Sequence, residues 1–504
     1  MKMAKYINVL YDNGDEIPLS NETKEYLSKM LGFSWDRPVW DGTISVPDLP
    51  RDESLLRELR KYVSEERISV EPEQRVIHSL GKSSLEFINL MHGKIPDPVD
   101  AVIFPRESEI EELMRSCGKI DAVFTVTGGR TSVTGGVACK SGHKTVCIDT
   151  SNLKDLTFSE SMITVGAGLT GKEIEDALEK KGFTCGFFPE SFRYSTVGGW
   201  ISTKATGQES NTYGDIEDIV SGVKIARKGS IISEKALPRN SAGPSAVSIV
   251  LGAEGQNGVI LSANMKIFRK PEKRHFSTVF FRSFHDAINA ISEMDRYPTV
   301  LRVMDETETS VSLLEINRKT RDRLRRYLRL RGTVDGSLGI IVNNGEKFGR
   351  IRGSVSVGSS GAKSWYEGRY LRPRMANSLW KRGIVSDTME TSAFWDSVER
   401  IHSETISAFH KTVRENQGTG MIMAHLSHQY LEGSCIYFTF LINGEKPDML
   451  LKHVREVMIQ VILDNGGSIT HHHGLGSSFH EYVDGGKRNL FSELRDEKMV
   501  WKWK

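Results

Sequence analysis

Four side chains near the C-terminal end of the sequence are of types that transfer protons. Tyr437 lies in the apolar run CIYFTFLI, and His471, His472 and His473 are consecutive in NGGSITHHHGLG. A phenol has a pKa near 10, so Tyr437 acts as a base only where a neighbour such as a protonated histidine favours the phenolate. Alternate residues of an extended strand face opposite ways, which predicts that His471 and His473 reach one pocket while His472 points away. Taken alone, Tyr437 also fits a buried core position.

The histidines also allow a metal site. His471 and His473, together with His425 or His428, would supply nitrogen ligands for a metal ion. No run of carboxylates accompanies them in the sequence, so we predict that no metal is bound.

Two glycine-rich loops are candidates for binding phosphate. In VTGGRTSVTGG (126–136), successive glycines let N–H groups point inward as an anion nest, although a plain surface loop fits equally well. Its GGxxxxxGG spacing leads into a strand, which disfavours the dinucleotide fingerprint GxGxxG. GAGLTGKE (166–173) resembles a P-loop but has Glu173 where Ser or Thr would bind Mg²⁺, so we predict a strand-to-helix turn.

The longest loop, PESFRYSTVGGWISTKATGQESNTYGD (189–215), has neither helical nor alternating periodicity. Loops of this length in a compact domain are usually functional. Gly198 and Gly199 would let the backbone approach a flat ring system, and the hydroxyl groups would contact its polar edge.

The elements around these loops alternate between strand and helix patterns. Strands are predicted at 101–104, 122–126, 145–150, 162–167, 218–227 and 258–270, and helices at 108–117 and 172–182. From about Pro271, FSTVFFRSF (276–284) and TVLRVMD (299–305) predict a second α+β unit. Beyond Phe394 the pattern is mainly helical apart from CIYFTFLI (435–442), and residues 1–97 are mostly helical in pattern.

The composition is that of a globular protein of several domains. The net charge of +2 across 504 residues gives no general attraction to nucleic acid, so we expect no such partner. Five separated cysteines without CxxC favour a reducing, cytoplasmic compartment. No apolar run reaches the ~18 residues that a membrane helix needs.

The long loop also carries a resemblance to a known family. PESFRYSTVGGWISTKATG resembles the flavin-wrapping segment of the alkyldihydroxyacetonephosphate synthases, which are vanillyl-alcohol-oxidase-type (PCMH-type) FAD-linked oxidases. Blocks similar to that family follow in order over about residues 65–480: EERISVEPEQRVIHSLGKS, HGKIPDPVDAVIFP, GGRTS, YGDIED, GAEGQNGVI, DTMETSAFWD, CIYF and NGGSITHHHGLG.

The resemblance implies an α+β protein with FAD as cofactor. After the N-terminal helical region (1–97), it implies a two-lobed PCMH-type FAD-binding domain (98–270), an α+β cap domain (271–393) and a mostly helical C-terminal segment (394–504) that returns to the flavin. The implied cofactor contacts are Gly128, Gly129, Arg130, Thr131 and Ser132 at the pyrophosphate; Glu190, Ser191, Ser195 and Thr196 beside the flavin; Thr203, Lys204, Ala205 and Thr206; and Glu254, Gly255, Gly258, Val259 and Ile260.

The implied reaction replaces the acyl group of acyl-dihydroxyacetone phosphate with a long-chain alcohol, giving an ether, with no net redox change of FAD. Tyr437 would move the substrate proton, the three histidines would bind and polarise the substrate, and Arg239 matches a further arginine of the family pattern. The alternative is an FAD-dependent 2-hydroxyacid dehydrogenase or other FAD-linked oxidase. The metal-dependent members of that group carry a histidine-bearing strand where this chain has LEGSCIYF.

Two features bear on the substrate and its surroundings. The family's PYLRD-like segment reads PRMAN (373–377), so Ala376 replaces the arginine expected to bind phosphate, and Arg374 would compensate only if the backbone shifts. The segment 318–331 has eight Lys or Arg and one acid, which fits either contact with anionic lipid or a solvated cap-domain helix. We expect a small-molecule or lipid substrate and leave a homodimer open.

Overall fold

The computed structural model describes residues 5–137, 142–238, 240–333 and 335–502. The N-terminal region has the predicted helices and, in addition, an antiparallel pair of short strands, β1 and β2. Its elements are β1 (Lys5–Asn8), α1 (Asn21–Leu31), β2 (Thr43–Val46), α2 (Glu53–Leu59), β3 (Ile68–Ser69), α3 (Pro72–Ile77) and α4 (Ser84–Met91). Helix α1 begins after Ser20, whose hydroxyl accepts the Thr23 N–H, and ends at Gly32 with φ of 70°.

The next region forms two lobes around separate sheets. Its elements are β4 (Ala101–Ile103), α5 (Glu107–Ser116), β5 (Val123–Thr127), β6 (Thr145–Asp149), β7 (Leu156–Phe158), β8 (Met162–Gly166), α6 (Gly171–Glu179), β9 (Phe183–Thr184), α7 (Val197–Thr203), α8 (Ser210–Tyr213), α9 (Ile216–Ile219), β10 (Val220–Arg227), β11 (Ser230–Ser233), α10 (Ala246–Val250), β12 (Val259–Lys266) and β13 (Phe268–Arg269). The first sheet has the order β3-β4-β6-β5, with β4, β6 and β5 parallel. The second is antiparallel, in the order β11-β10-β12-β8-β7.

Both sheets contribute to one hydrophobic core. Phe124 of β5, Trp200 of α7 and Ile260 of β12 belong to the same cluster of buried side chains. The glycine-rich loop after β5 and the long loop that contains α7 are therefore held against each other by shared packing. As predicted, 166–173 is a strand-to-helix turn, and Glu173 closes a capping box with Thr170.

The remaining elements build a seven-stranded antiparallel sheet with helices around it. They are β14 (Arg274–Phe281), α11 (Phe284–Ser292), β15 (Val300–Met304), α12 (Glu306–Leu314), α13 (Arg318–Leu330), β16 (Ser337–Asn344), β17 (Val355–Ser356), α14 (Ser360–Gly368), α15 (Arg372–Trp380), β18 (Val385–Phe394), α16 (Trp395–Glu415), β19 (Thr419–Gln429), β20 (Gly433–Asn443), α17 (Pro447–Asp464), α18 (Gly476–Phe479) and α19 (Gly485–Leu494). The strand order is β17-β14-β16-β15-β19-β20-β18, so segments 271–393 and 394–504 share one sheet.

Strands β19 and β20 give this sheet two chemically different faces. On one face, Ile422, Ala424 and Leu426 of β19 pack with Ile436 and Phe438 of β20 in a core that also includes residues of α16 and α17. The alternate residues face a cavity: Met421, Met423, His425 and Ser427 from β19, and Tyr437, Thr439 and Leu441 from β20. The sequence predicted β20 but not β19.

Candidate functional site

A cavity of about 550 Å³ lies between the two lobes and the seven-stranded sheet, a size suited to a small-molecule ligand. It is lined by most of the residues predicted to contact the cofactor: Gly128, Gly129, Arg130, Thr131, Ser132, Glu190, Ser191, Ser195, Thr196, Thr203, Ala205, Thr206, Glu254, Gly255, Gly258 and Ile260. The structure therefore brings three separate sequence blocks to one place.

The glycine-rich loop packs tightly against the start of α7. A Cβ atom on Gly128 would lie 2.2 Å from the Thr196 hydroxyl oxygen, and one on Gly129 would lie 2.2 Å from the Tyr194 carbonyl oxygen. Arg130 has a φ of 53°, which turns the chain sharply after the two glycines. Its Nη1 lies 3.1 Å from Nε2 of His78, so the guanidinium stays beside the cavity.

Two of the predicted contacts do not line the cavity. Val259 is fully buried in the core on β12, where neighbouring residues alternate between faces. Lys204 caps α7 in the left-handed conformation, and its Nζ pairs with Glu217 at 2.5 Å instead of facing the cavity. Contact of these two residues with the cofactor therefore stays a prediction, and their side chains do not support it.

The C-terminal end of the chain closes this part of the cavity. Nζ of Lys502 lines the cavity and donates to the carbonyl oxygens of Gly136 and Glu254, at 2.6 and 2.8 Å. The Glu254 carboxylate accepts the N–H groups of Leu475 and Gly476. Side-chain-free glycines, hydroxyl groups and nearby cations fit the pyrophosphate and ribityl parts of a flavin dinucleotide.

Strand register places the chemically active side chains in one row. Tyr437 of β20 is directly opposite Glu390 of β18 on one side and His425 of β19 on the other. Directly paired residues face the same side of an antiparallel sheet, so all three side chains face the same way. The Tyr437 ring stacks on His425, with centroids 4.9 Å apart, and lies 5.8 Å from His472 and 5.6 Å from His473.

The surroundings of Tyr437 favour the neutral phenol. Burial raises the pKa of Tyr437 well above its usual value, and the carboxylates of Glu190 and Glu390 act in the same direction. The expectation that adjacent histidines favour the phenolate is therefore wrong in direction. Tyr437 holds a proton that it can give up only when a partner accepts it.

The three histidines form a turn around the buried carboxylate of Glu390. Its Oε1 accepts the backbone N–H groups of His471, His472 and His473 at 3.2, 3.1 and 3.0 Å, and the Thr470 hydroxyl at 2.6 Å. The segment is not a strand, because its consecutive N–H groups all point at one acceptor. His472 and His473 line the cavity and His471 does not, which corrects the alternating arrangement that the sequence predicted.

Glu390 also makes the pKa of His473 differ from the pKa values of His471 and His472. Burial alone would lower the pKa of His473, but Glu390, 2.8 Å from its Nδ1, outweighs burial and raises it. Burial lowers the pKa of His472 well below its usual value and that of His471 to about 4. Burial would raise the pKa of Glu390, but His473 and the other contacts hold it well below the usual value. Glu390 thus favours the protonated form of His473, while burial favours the neutral forms of His471 and His472.

Glu390 was not singled out from the sequence, although it lies in the block DTMETSAFWD. One buried acid in a strand has no distinguishing pattern, and its donors are 80 or more residues away. Ligand atoms of Glu390, His472 and His473 lie within 4.8 Å of one another, close enough for one metal ion. Because hydrogen bonds within the cluster already involve both carboxylate oxygens, we assign these groups to each other.

A second polar cluster was also missed by sequence reasoning. Nη2 of Arg302 on β15 donates to Glu308 of α12 at 2.6 Å, and Nδ1 of His425 lies 3.0 Å from the other Glu308 oxygen. All three residues line the cavity. The cluster fixes the ring of His425 against Tyr437 and places a guanidinium at the cavity wall.

Beyond Tyr437 the cavity becomes apolar. We name this part the apolar channel; it lies between α1, α12, α15 and strands β19 and β20. Its lining residues are Leu19, Leu27, Val311, Met375, Leu379, Met421, Met423 and Leu441. Several of them belong to one hydrophobic cluster, so the channel is continuous with the packing of α1 against the sheet.

Of the two predicted substrate arginines, only Arg374 lies in the described part of the chain, and it does not line the cavity. Ala376 lines it, but Arg374 does not, because its Nε donates to Asp12 at 2.5 Å and Asp12 also accepts the Tyr194 hydroxyl. The N-terminal segment therefore holds Arg374 outside the cavity, and its role as a substrate contact stays a prediction without support from this position. Arg239 lies outside the described residues.

Comparison with known proteins gives consistent matches along the chain. The sequence profile "FAD binding domain" matches residues 99–233, and "FAD linked oxidases, C-terminal domain" matches residues 270–494. An alkyldihydroxyacetonephosphate synthase from Caenorhabditis elegans is 30% identical, over 90% of this chain and 82% of its own length. One from Dictyostelium discoideum is 27% identical, over 88% and 78%. A solved alkyldihydroxyacetonephosphate synthase structure, 25% identical, superimposes with a TM-score of 0.81, covering 95% of this chain and 92% of that one.

Proposed function

The chain belongs to the alkyldihydroxyacetonephosphate synthase family of FAD-linked oxidases, and on that premise we propose that it exchanges the acyl group of a dihydroxyacetone ester for a long-chain alcohol. The product is an ether-lipid precursor, and the cofactor is FAD. When bound, FAD supplies the covalent chemistry of the exchange, while the protein supplies binding, orientation and charge.

The observation that carries this proposal is the continuity of the cavity. The glycine-rich loop, the Tyr437 row and the apolar channel line one cavity. A fatty chain in the apolar channel would leave water at about 0.8 kcal/mol per buried CH₂ group, with its oxygen end directed toward Tyr437. An enzyme that acts only on short hydroxyacids has no need of such a channel.

We assign three roles to the side chains around the reacting oxygen atoms. Tyr437, a neutral phenol, donates a hydrogen bond and moves the substrate proton. His473, kept cationic by Glu390, stabilises negative charge that develops on the leaving carboxylate. Arg302, held by Glu308, orients the polar end of the substrate. The position of these groups on the cavity wall supports each role.

The surroundings of Ala376 bear on the head group of the substrate. Pro373, Met375 and Leu379 line the cavity beside Ala376, and Arg374 is held by Asp12 outside it. A phosphate dianion gains little from such an apolar wall. We therefore include an ester without phosphate among the substrates that this site takes.

Helix α13 provides a surface for contact with a membrane. It projects Arg323, Arg325, Arg326 and Arg329 into solvent, and Leu330 beside them is 82% exposed. Its buried Arg321 pairs with Glu22 of α1, the helix that borders the apolar channel. Binding of this helix to anionic lipid would hold the channel close to a source of fatty substrates.

The cellular setting is proposed from two further observations. In the described part of the chain, no helix is both long and apolar enough to cross a membrane. The four described cysteines are buried and free of disulfides, which fits the reducing cytoplasm.

The test is an exchange assay on the purified flavoprotein. We expect free fatty acid to appear from acyl-dihydroxyacetone, with or without phosphate, only when a long-chain alcohol is present. We also expect Tyr437→Phe to lower kcat by about 100-fold or more, since a positioned proton donor contributes about 10²–10⁴-fold. Lasting anaerobic bleaching of the flavin by a 2-hydroxyacid, with no exchange, would support a dehydrogenase instead.

A further inference from the structure

The exchange reaction creates a proton that must leave the cavity. An ester and an alcohol become an ether and a fatty acid, and the acid, with a pKa near that of a glutamic acid, ionises at neutral pH. The alcohol hydroxyl proton is thus released once per turnover. The release of this proton rests on the proposed function, and groups on the cavity wall that connect to the protein surface would carry it away.

A continuous line of hydrogen bonds leads from the cavity to the surface. Nδ1 of His472, which lines the cavity, lies 2.9 Å from Nδ1 of His471. Nε2 of His471 lies 2.8 Å from the hydroxyl oxygen of Tyr430, and that hydroxyl donates to Oδ2 of Asp215 at 3.0 Å. Tyr430 is 37% exposed, so the line reaches the protein surface at Tyr430.

We propose that His472, His471, Tyr430 and Asp215 form a proton relay that carries the released proton from the cavity wall to the protein surface. None of the four is the proton donor Tyr437; they act on the proton after it has left the reacting atoms. Their order in space matches the order that such a relay requires.

The hydrogen-bond directions are mutually consistent. Because Tyr430 donates to Asp215, it accepts from Nε2–H of His471. A neutral His471 then has a free electron pair on Nδ1, which accepts the Nδ1–H of His472. This leaves Nε2 of His472 as an acceptor, so every group except the last can take a proton from one side and give one to the other.

The charges of the cluster keep the relay in this state. Burial lowers the pKa of His471 to about 4 and that of His472 well below its usual value, so both rings are neutral when the proton arrives. Burial raises the pKa of Asp215, which makes its carboxylate a better proton acceptor. His473, the cationic neighbour held by Glu390, repels a second positive charge on His472 and favours its onward transfer.

The transfer is balanced at each step. His472 gains a proton on Nε2 and loses the one on Nδ1, and His471 gains that proton on Nδ1 and loses the one on Nε2. Tyr430 receives a proton and passes its own to Oδ2 of Asp215, and the proton leaves to solvent beside the exposed Tyr430. Each ring regains its first tautomer before the next turnover by losing the new N–H proton to water and taking one proton from water on its other nitrogen, so the net transfer is one proton and no electron.

The first test removes one hydroxyl group from the relay. We expect Tyr430→Phe to lower kcat about tenfold or more, with an unchanged KM for the alcohol and an unchanged flavin spectrum, and to increase the solvent deuterium isotope effect. Tyr297→Phe is the matched control, because its hydroxyl donates to the Tyr430 carbonyl oxygen and lies outside the relay. A Tyr430→Phe enzyme as fast as the control would overturn the relay.

The second test needs no turnover. Histidine-selective ¹⁵N NMR of the flavin-loaded protein should show one imidazole that is neutral, protonated on Nε2, missing in His471→Gln and altered in Tyr430→Phe. A cationic His471, or one protonated on Nδ1, would contradict the relay. If the wild-type protein exchanges no acyl group, the proposed function fails, and the NMR result alone decides whether the line of hydrogen bonds has the required direction.

Discussion

At the scale of single residues, Glu390 organises the acid–base part of the site. Its carboxylate accepts hydrogen bonds from three backbone N–H groups and favours the protonated form of His473. The types of the four C-terminal residues were enough to predict proton transfer. Which histidines face the cavity could not be predicted, because that depends on a buried acid some 80 residues earlier in the chain.

The Glu390–His473 pair predicts a definite pH dependence of stability. The lowered pKa of Glu390 gives stability that is present above its unfolded pKa, near 4.3, and lost as the pH falls through the folded pKa. The raised pKa of His473 gives stability present below pH 6.5 and lost as the pH rises through its folded pKa. The pair therefore stabilises most between about pH 4.3 and 6.5.

Glu390→Gln keeps an acceptor for the backbone N–H groups but removes the charge. Breaking a buried ion pair costs about 3–5 kcal/mol. We expect thermal unfolding to show the largest loss of stability near pH 6, and a smaller loss above the raised pKa of His473. Glu432→Gln, a substitution at an exposed site, is the control. A loss that is equal at pH 6 and pH 9 would contradict the assigned charges.

The close packing around Gly129 gives a test of where the flavin binds. Gly129→Ala brings a Cβ to 2.2 Å from the Tyr194 carbonyl oxygen, a backbone atom that cannot rotate away, so the loop must shift. We expect flavin occupancy after purification to fall at least tenfold, measured as the ratio of visible to protein absorbance. Gly485→Ala, where a Cβ meets nothing within 4 Å, should retain the wild-type ratio. Equal flavin content in both variants would place the cofactor elsewhere.

At the scale of elements, local pattern predicts strands and helices well where one face is buried and the other wet. Strands β5, β8 and β12 and helices α5 and α6 were predicted, and so was β6, although all five of its residues are buried. Strand β19 was missed because it is central in its sheet. One face packs on the core and the other lines the apolar channel with Met421 and Met423, so polar alternation is weak.

Helix α13 carries the prediction that belongs to this scale. Each basic residue near an anionic surface contributes about 1 kcal/mol. We therefore expect the triple substitution Arg325→Glu, Arg326→Glu and Arg329→Glu to reduce binding to phosphatidylserine-containing vesicles more than 100-fold in a sedimentation assay. Added salt should release the wild-type protein from these vesicles, and the protein should not bind vesicles of neutral lipid.

A matched variant separates membrane contact from a general effect of net charge. Lys411→Glu, Arg414→Glu and Lys452→Glu make the same change in charge at exposed positions on α16 and α17. This control should bind anionic vesicles much more tightly than the α13 variant. If both triple variants bind equally, α13 is an ordinary solvated helix.

At the scale of the whole molecule, the site exists only where distant parts of the chain meet. The two lobes supply the cofactor loops, the seven-stranded sheet supplies the Tyr437 row, α1 closes the apolar channel, and Lys502 returns to Gly136 and Glu254. The α+β class, the FAD cofactor and the family were predicted from the sequence and are confirmed. The apolar channel was not, because its residues are ordinary core types that become a channel only through the arrangement of four elements.

The most direct test follows the alcohol itself. The flavin-loaded protein is incubated with an acyl-dihydroxyacetone ester and a deuterated long-chain alcohol, and the lipids are treated with alkali and analysed by mass spectrometry. We predict a deuterated product that survives alkali, as an ether does, together with one free fatty acid for each ether formed and an unchanged flavin spectrum. Deuterium found only in alkali-labile esters, or no deuterated product at all, would contradict the account.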